Sequence, residues 1–172
     1  NGGTNWTQVF TETNGFIDGV WMSTSADGFM VGDPVPTRWS LWKTTNGGVN
    51  WDSTGLYLLR NGNEAGWNSS LCMKGSRIWF GTNNSVIYYS SNSGLNWVTQ
   101  PHSPEINSYS IALDSGSQFL GFAGGTYLFK TTNAGTNWSQ VTAPGTGNFS
   151  GFAVFPFFQS QAWFVRSNTN IY

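Results

Sequence analysis

The chain has 172 residues, 9% of them charged, and its seven basic and eight acidic side chains leave a formal charge of -1. Such a balance creates no broad field for a phosphate backbone or an anionic membrane surface, so nucleic acid is not an expected partner. The longest apolar run, Phe152 to Phe158, is too short to span a bilayer and holds Pro156, so no direct membrane insertion is expected.

Twenty-two Gly, 10 Trp and 13 Phe among many Asn, Ser and Thr describe a neutral, aromatic, all-β chain. In chain order, residues 1 to 6 are the end of a motif met in full further on. Phe16 to Ser23 then reads as a strand, Ala26-Asp27-Gly28 as a turn, Phe29 to Gly32 as a second strand and Trp39 to Thr45 as a third. The motif S/T-x-N-x-G-x-x-W follows at Thr44 to Trp51, and Trp51 opens a fourth strand. The next unit repeats the order with Ser69 to Met73, Arg77 to Gly81, Val86 to Ser90, the motif at Ser90 to Trp97, and Trp97 to Gln100. A third runs through Tyr109 to Leu113, Phe119 to Ala123, Tyr127 to Thr131, the motif at Thr131 to Trp138, and Trp138 to Val141.

The closing tryptophans at 6, 51, 97 and 138 set a period of about 45 residues, and four strands per period is the arithmetic of a propeller blade. The expected fold is an all-β propeller of four-stranded antiparallel blades, with about four repeats over residues 1 to 172. Asn170-Ile171-Tyr172 aligns with Leu41-Trp42, Ile87-Tyr88 and Leu128-Phe129, just before a motif. A terminus there splits a hairpin, which predicts a fragment whose remaining blades belong to the same polypeptide. The alternative is a closed four-bladed ring in which Trp6 to Phe10 completes the last blade.

A tight hairpin needs positive φ and a side chain that accepts bonds from its own backbone, the properties of Gly and Asn. Thr44, Asn46, Gly48 and Trp51 meet that need in the first full copy. Ser90, Asn92, Gly94 and Trp97 do so in the second, and Thr131, Asn133, Gly135 and Trp138 in the third. The hydroxyl bonds across the turn and the indole packs over it.

These residues resemble the Asp-box, or BNR, repeats of sialidase-like propellers, with Asn46, Asn92 and Asn133 in place of the aspartate. An amide makes the same turn bonds without charge, so the fold survives the change and no metal is expected at the box. Gly28-Phe29-Met30-Val31-Gly32-Asp33-Pro34 with Leu41-Trp42-Lys43-Thr44-Thr45-Asn46-Gly47-Gly48 is similar to YCF48-like propellers and to secreted BNR-repeat proteins of Bacteroidota-type bacteria. Leu120 to Gly125 with Leu128 to Asn133 repeats the likeness. The photosystem-assembly branch carries an arginine-rich patch, whereas the four arginines here are scattered at 38, 60, 77 and 166. The resemblance therefore implies a secreted or bacterial cell-surface protein.

A sialidase would need an arginine triad, and Arg77-Ile78 is followed by Trp79 rather than the proline of the sialidase signature. Another glycosidase would use two carboxylates about 5 to 9.5 Å apart. Asp18, Asp33 and Asp114 are the candidates: Asp18 and Asp114 lie in or beside predicted first strands, which line a propeller's centre, and Asp33 precedes Pro34 and doubles as a turn former. For binding, Trp21, Trp67, Trp79 and Trp163 lie outside the boxes and offer flat faces on which a sugar ring stacks; blade-to-blade packing is the competing reading for each. Sequons at Asn5, Asn68, Asn83, Asn137 and Asn148, and Ser53 in Asp52-Ser53-Thr54, mark candidate glycosylation sites. Cys72 reads as a half-buried strand residue, and the lone histidine, His102, sits in a Pro-flanked turn far along the chain.

The reading that follows is a non-enzymatic binding, adhesion or scaffold module for a glycan or protein partner, without a cofactor. The alternative is part of a sialidase-like or xyloglucanase-like glycoside hydrolase with acids partly outside this chain. A hydrolase needs an acidic pair facing one pocket, whereas a binder needs an aromatic platform with polar neighbours.

Overall fold

The computed structural model describes residues 3–105, 107–113, 120–154 and 162–167. Among them all regular structure is β, in four antiparallel sheets. The first contains β1 (Ile17–Met22), β2 (Gly28–Gly32) and β3 (Ser40–Thr44). The second contains β4 (Gly66–Lys74), β5 (Arg77–Thr82), β6 (Val86–Ser90) and β7 (Val98–Pro101). The third contains β8 (Ser110–Leu113), β9 (Gly121–Gly124), β10 (Leu128–Thr131) and β11 (Ser139–Val141), and the fourth β12 (Phe149–Val154) with β13 (Ala162–Arg166). Within each sheet the strands follow chain order, as in a propeller blade. The first strands form the inner row, with β4 packed between β1 and β8 and β12 against β8.

The first blade departs from expectation at its outer edge. In place of a fourth strand opened by Trp51, Asp52 makes one antiparallel bridge to Lys43, and Leu59 another to Arg38. Asp52 Oδ1 accepts the Thr54 N–H at 2.9 Å and Leu56 N–H bonds back to the Ser53 carbonyl, so the chain turns where a strand would continue. In the second blade β4 is longer than expected. Its register shifts between Gly66 and Leu71, and Ser69 takes a left-handed φ of 68°. The strands β12 and β13 belong to a fourth unit that the motif spacing left undivided.

Two apolar clusters hold the blades together. Phe29, Val31 and Leu41 of blade 1 meet Leu71, Ile78 and Phe80 of blade 2 in one; Cys72, Trp79 and Ile87 of blade 2 meet Ile111, Leu113 and Ala123 of blade 3 in the other. Cys72 is thus fully buried rather than half-buried, and burial pushes its thiol pKa up. His102 is buried too, its Nε2 2.5 Å from Ser108 Oγ, and burial lowers its pKa.

The three boxes close with one bond pattern. Thr44 Oγ1 donates to Asn46 Oδ1 at 3.0 Å and accepts the Gly48 N–H at 2.9 Å, while Asn50 N–H donates to Asn46 Oδ1 at 3.0 Å. Ser90 and Asn92 do the same with Gly94 and Asn96, and Thr131 and Asn133 with Gly135 and Asn137. Every bond to the asparagine uses its oxygen as acceptor, which an aspartate would supply equally. The glycines at 48, 94 and 135 have φ of 83°, 85° and 83°, the left-handed region that disfavours a Cβ. Gly3, with φ of 84°, holds Trp6 Cζ2 3.3 Å from where its Cβ would lie, close to the 3.6 Å between Gly48 and Trp51; the truncated motif keeps that part of the turn.

Three glutamates, a signal the motif reading passed over, anchor the approach to the inner strand of successive blades. Glu12 meets Ser40 Oγ; Glu64 accepts from the Tyr88 hydroxyl, Asn61 N–H and Asn84 Nδ2; Glu105 accepts from Asn107 N–H and Tyr127 N–H. Glu64 and Glu105 are buried, and their hydrogen bonds offset the cost of desolvating a carboxylate.

Candidate functional site

The inner strands begin on one side of the array, and there they surround a cavity of about 450 Å3. Phe16 reaches it from just before β1 and Asp18 from β1, Gly66, Trp67 and Asn68 from β4, Tyr109 from the approach to β8, Asn148 from just before β12, and Phe149 and Ser150 from its start. Asp33, just after β2, completes the wall. The cavity is therefore a mouth at the end of the inner row where its strands begin.

Two carboxylates sit in different roles. Asp33 Oδ1 accepts the Gly66 N–H at 2.8 Å and its own N–H donates to the Phe16 carbonyl at 2.9 Å, so it ties blade 1 to blade 2. Asp18 is pressed against the bare α-carbon of Gly66: a Cβ there would lie 2.1 Å from Asp18 Oδ2. That oxygen is buried and meets no hydrogen-bond partner among the described residues. Burial, and secondarily the neighbouring charge of Asp33, raises the Asp18 pKa from 3.8 to about 7. Asp18 is thus a carboxyl that titrates near neutrality rather than near pH 4.

Aromatic groups share the space. Trp67 packs edge-on to Tyr109 with ring centroids 4.5 Å apart, and Phe16 stands exposed beside them. Trp67 Nε1, like Asp18 Oδ2, is buried with no partner among the described residues. The amides of Asn68 and Asn148 and the Ser150 hydroxyl add neutral hydrogen-bonding groups at the rim.

Of the sequence candidates, Asp18, Asp33 and Trp67 come together here, and Asp114 lies outside the described residues. The other tryptophans go elsewhere. Trp79 is fully buried between blades 2 and 3, stacked on Tyr89, with Nε1 donating to the Ala134 carbonyl at 3.1 Å, so of its two readings it is blade-to-blade packing, and not a binding face, that the structure shows. Trp21 packs partly buried against both clusters with Lys74 Nζ 5.9 Å from its ring centre, and Trp163 is partly exposed on β13 of blade 4. Tyr109, Asn68 and Asn148 were not singled out as ligand contacts; only the third dimension places them beside Trp67.

Among the sequons, Asn5 and Asn68 are exposed, while Asn137 N–H serves the third box. Asn83 Oδ1 accepts the Ala65 N–H at 2.9 Å and Asn148 Oδ1 the Thr126 hydroxyl at 3.4 Å; Ser53 is half-buried in its turn. Among the described residues no three His, Cys, Asp or Glu side chains gather as a metal-binding group.

Radially packed, sequential antiparallel blades define the chain as part of a β-propeller. Its solved counterparts agree. A structure of YCF48 bound to D1 peptide superposes with a TM-score of 0.61 at 15% identity, covering 90% of this chain and 51% of that one. The GH74 xyloglucanase of Xanthomonas campestris gives 0.62 at 14% identity over 87% of this chain, and the GH74 enzyme of Niastella koreensis 0.61 at 11% over 86%. In sequence the chain is 26% identical over 136 residues to a xyloglucanase from a Paenibacillus species. No family model matches. The chain spans 13% of the Paenibacillus protein and 27% and 25% of the two GH74 structures.

Proposed function

We propose that this chain is a glycan-binding propeller segment whose cavity at the start of the inner strands takes a neutral polysaccharide of the xyloglucan type. The observation that carries the reading is the meeting of Trp67 and Tyr109 with Asp18, Asn68, Asn148 and Ser150 in one cavity. An aromatic pair gives a pyranose ring an apolar face, while amides, a hydroxyl and a carboxyl bond its hydroxyls. A neutral ligand suits a cavity that holds two acids and no basic side chain. The similarity to xyloglucanases supports the choice of glycan, and a secreted or cell-surface setting in a bacterium belongs to the same proposal.

A second reading, part of a glycoside hydrolase, is favoured by one observation. The Asp18 pKa is raised to about 7 beside a second carboxyl, so the acid form that a general acid needs is populated up to neutrality. The tie between Asp33 and Gly66 N–H weighs against Asp33 as its partner base.

Affinity electrophoresis through gels containing xyloglucan, chitin-type or sialylated polymers tests the first reading. Xyloglucan should retard the chain, and Trp67→Ala should run as in a plain gel; equal mobility in every gel overturns it. Reducing ends released from xyloglucan, and lost in Asp18→Asn, would establish the second.

A further inference from the structure

The wall that suits a neutral glycan better than an anionic one carries charge of a single sign. Asp18 and Asp33 line the cavity, and none of the residues that share it is basic. A cation is the ligand whose charge such a wall complements. The titratable groups that line the cavity with Asp18 are Asp33, from the end of β2, and Tyr109, from the approach to β8; β4 presents Gly66, Trp67 and Asn68.

Aromatic rings give that preference a shape. Trp67 and Tyr109 meet at 67° with centroids 4.5 Å apart, so their planes form a corner that turns two ring faces toward one occupant. Phe16, 55% exposed, lines the same cavity. The face of an aromatic ring is the negative part of its quadrupole and attracts a cation, most strongly at Trp. The chain uses this attraction at two other rings: Lys74 Nζ lies 5.9 Å from the centre of Trp21, and the Arg166 guanidinium 4.1 Å from that of Phe149. Neither Lys74 nor Arg166 lines the cavity, so the corner of Trp67 and Tyr109 brings ring faces and carboxyls together with no cation among its own lining groups.

We propose that this cavity binds small organic ammonium ions, the Trp67 and Tyr109 faces receiving the N-alkyl surface while Asp18 and Asp33 supply the counter-charge. A quaternary ammonium fits better than a metal ion, because its charge is spread over methyl groups that ring faces contact and it asks for no shell of convergent oxygens. The volume of about 450 Å3 admits one such ion with its substituents. Occupancy and the charge of Asp18 are linked: the cation favours the carboxylate, so binding displaces the Asp18 proton, and the carboxylate in turn strengthens binding. An ammonium ion and a neutral glycan compete for the same space.

Calorimetric titration of the 172-residue chain with choline and with its uncharged isostere, 3,3-dimethyl-1-butanol, separates charge from shape. Choline should bind saturably at about pH 8 and about tenfold more tightly than the isostere. Its affinity should fall toward about pH 5.5, and near neutrality its binding heat should change with the ionisation enthalpy of the buffer, as protons leave Asp18. Trp67→Leu should weaken choline binding about fivefold or more, and Asp18→Asn should flatten the pH dependence. No saturable heat from choline, equal affinity for the two compounds, or a preference for choline that Trp67→Leu leaves intact overturns the proposal. The titration uses no glycan, so its outcome is independent of retardation by xyloglucan, and the comparison of the two compounds on the wild type stands whether or not a variant folds.

Discussion

Asp18 couples the site to the solution. Its pKa rises from 3.8 in the unfolded chain to about 7 in the fold, so between those values the folded protein holds a proton that the unfolded one has released. The stability that this group contributes is complete below about pH 4 and is lost as the pH climbs through about 7. Thermal midpoints should therefore fall over that window in the wild type and stay flatter in Asp18→Asn, measured by calorimetry at fixed ionic strength. Asp33→Asn removes the secondary cause and should shift the fall to lower pH. Gly66→Ala probes the same contact by shape: its φ is ordinary, yet the new methyl would overlap Asp18 Oδ2. An overpacking loss of about 1–3 kcal/mol is expected from urea unfolding, with a changed Asp18 titration.

At the scale of the element, the box turn makes two demands that separate cleanly. Asn92 serves as an acceptor for Ser90 and Asn96, so Asn92→Asp should stay within about 0.5 kcal/mol of the wild type, and Asn92→Ala should cost about 1–3 kcal/mol through an unpaired hydroxyl and N–H. Gly48 and Gly94 share a left-handed backbone, so alanine at either costs about 1–2 kcal/mol of strain. Gly94→Ala should cost about 1–3 kcal/mol more, because its methyl meets Phe29 and Leu56 whereas Gly48 faces only its own Trp51 at 3.6 Å. Chemical denaturation of the four variants ranks them. These turns were legible because their chemistry is local: Asn, Gly and hydroxyl stand within five residues of one another. The inner and middle strands followed from period-two alternation for the same reason. The fourth strand of blade 1 was not, because the bond from Thr54 N–H to Asp52 competes with the ladder where alternation continues. The bulge in β4 escaped too, since Ser69 was read as the start of a strand that in fact begins at Gly66.

Over the whole molecule, what reads poorly from sequence is convergence. Asp18, Asp33 and Trp67 were visible one by one as an acid near a first strand, an acid before proline and a tryptophan outside the boxes. Their meeting depends on how blades 1 and 2 pack side by side along the inner row, and so does the separation of Trp79, which its register turns into the core. Tyr109, Asn68 and Asn148 carried no signal for a ligand contact, because residues of such common types acquire that role only from their neighbours in space. The central claim is that this mouth, rather than a blade face or a box, binds a glycan. Titrating the isotopically labelled chain with a xyloglucan oligosaccharide and following its amide and indole resonances tests it. The account predicts saturable shifts at Gly66, Trp67, Asn68 and Tyr109, with Trp79 and Trp138 unmoved; no saturable change, or shifts confined to residues away from the mouth, would contradict it.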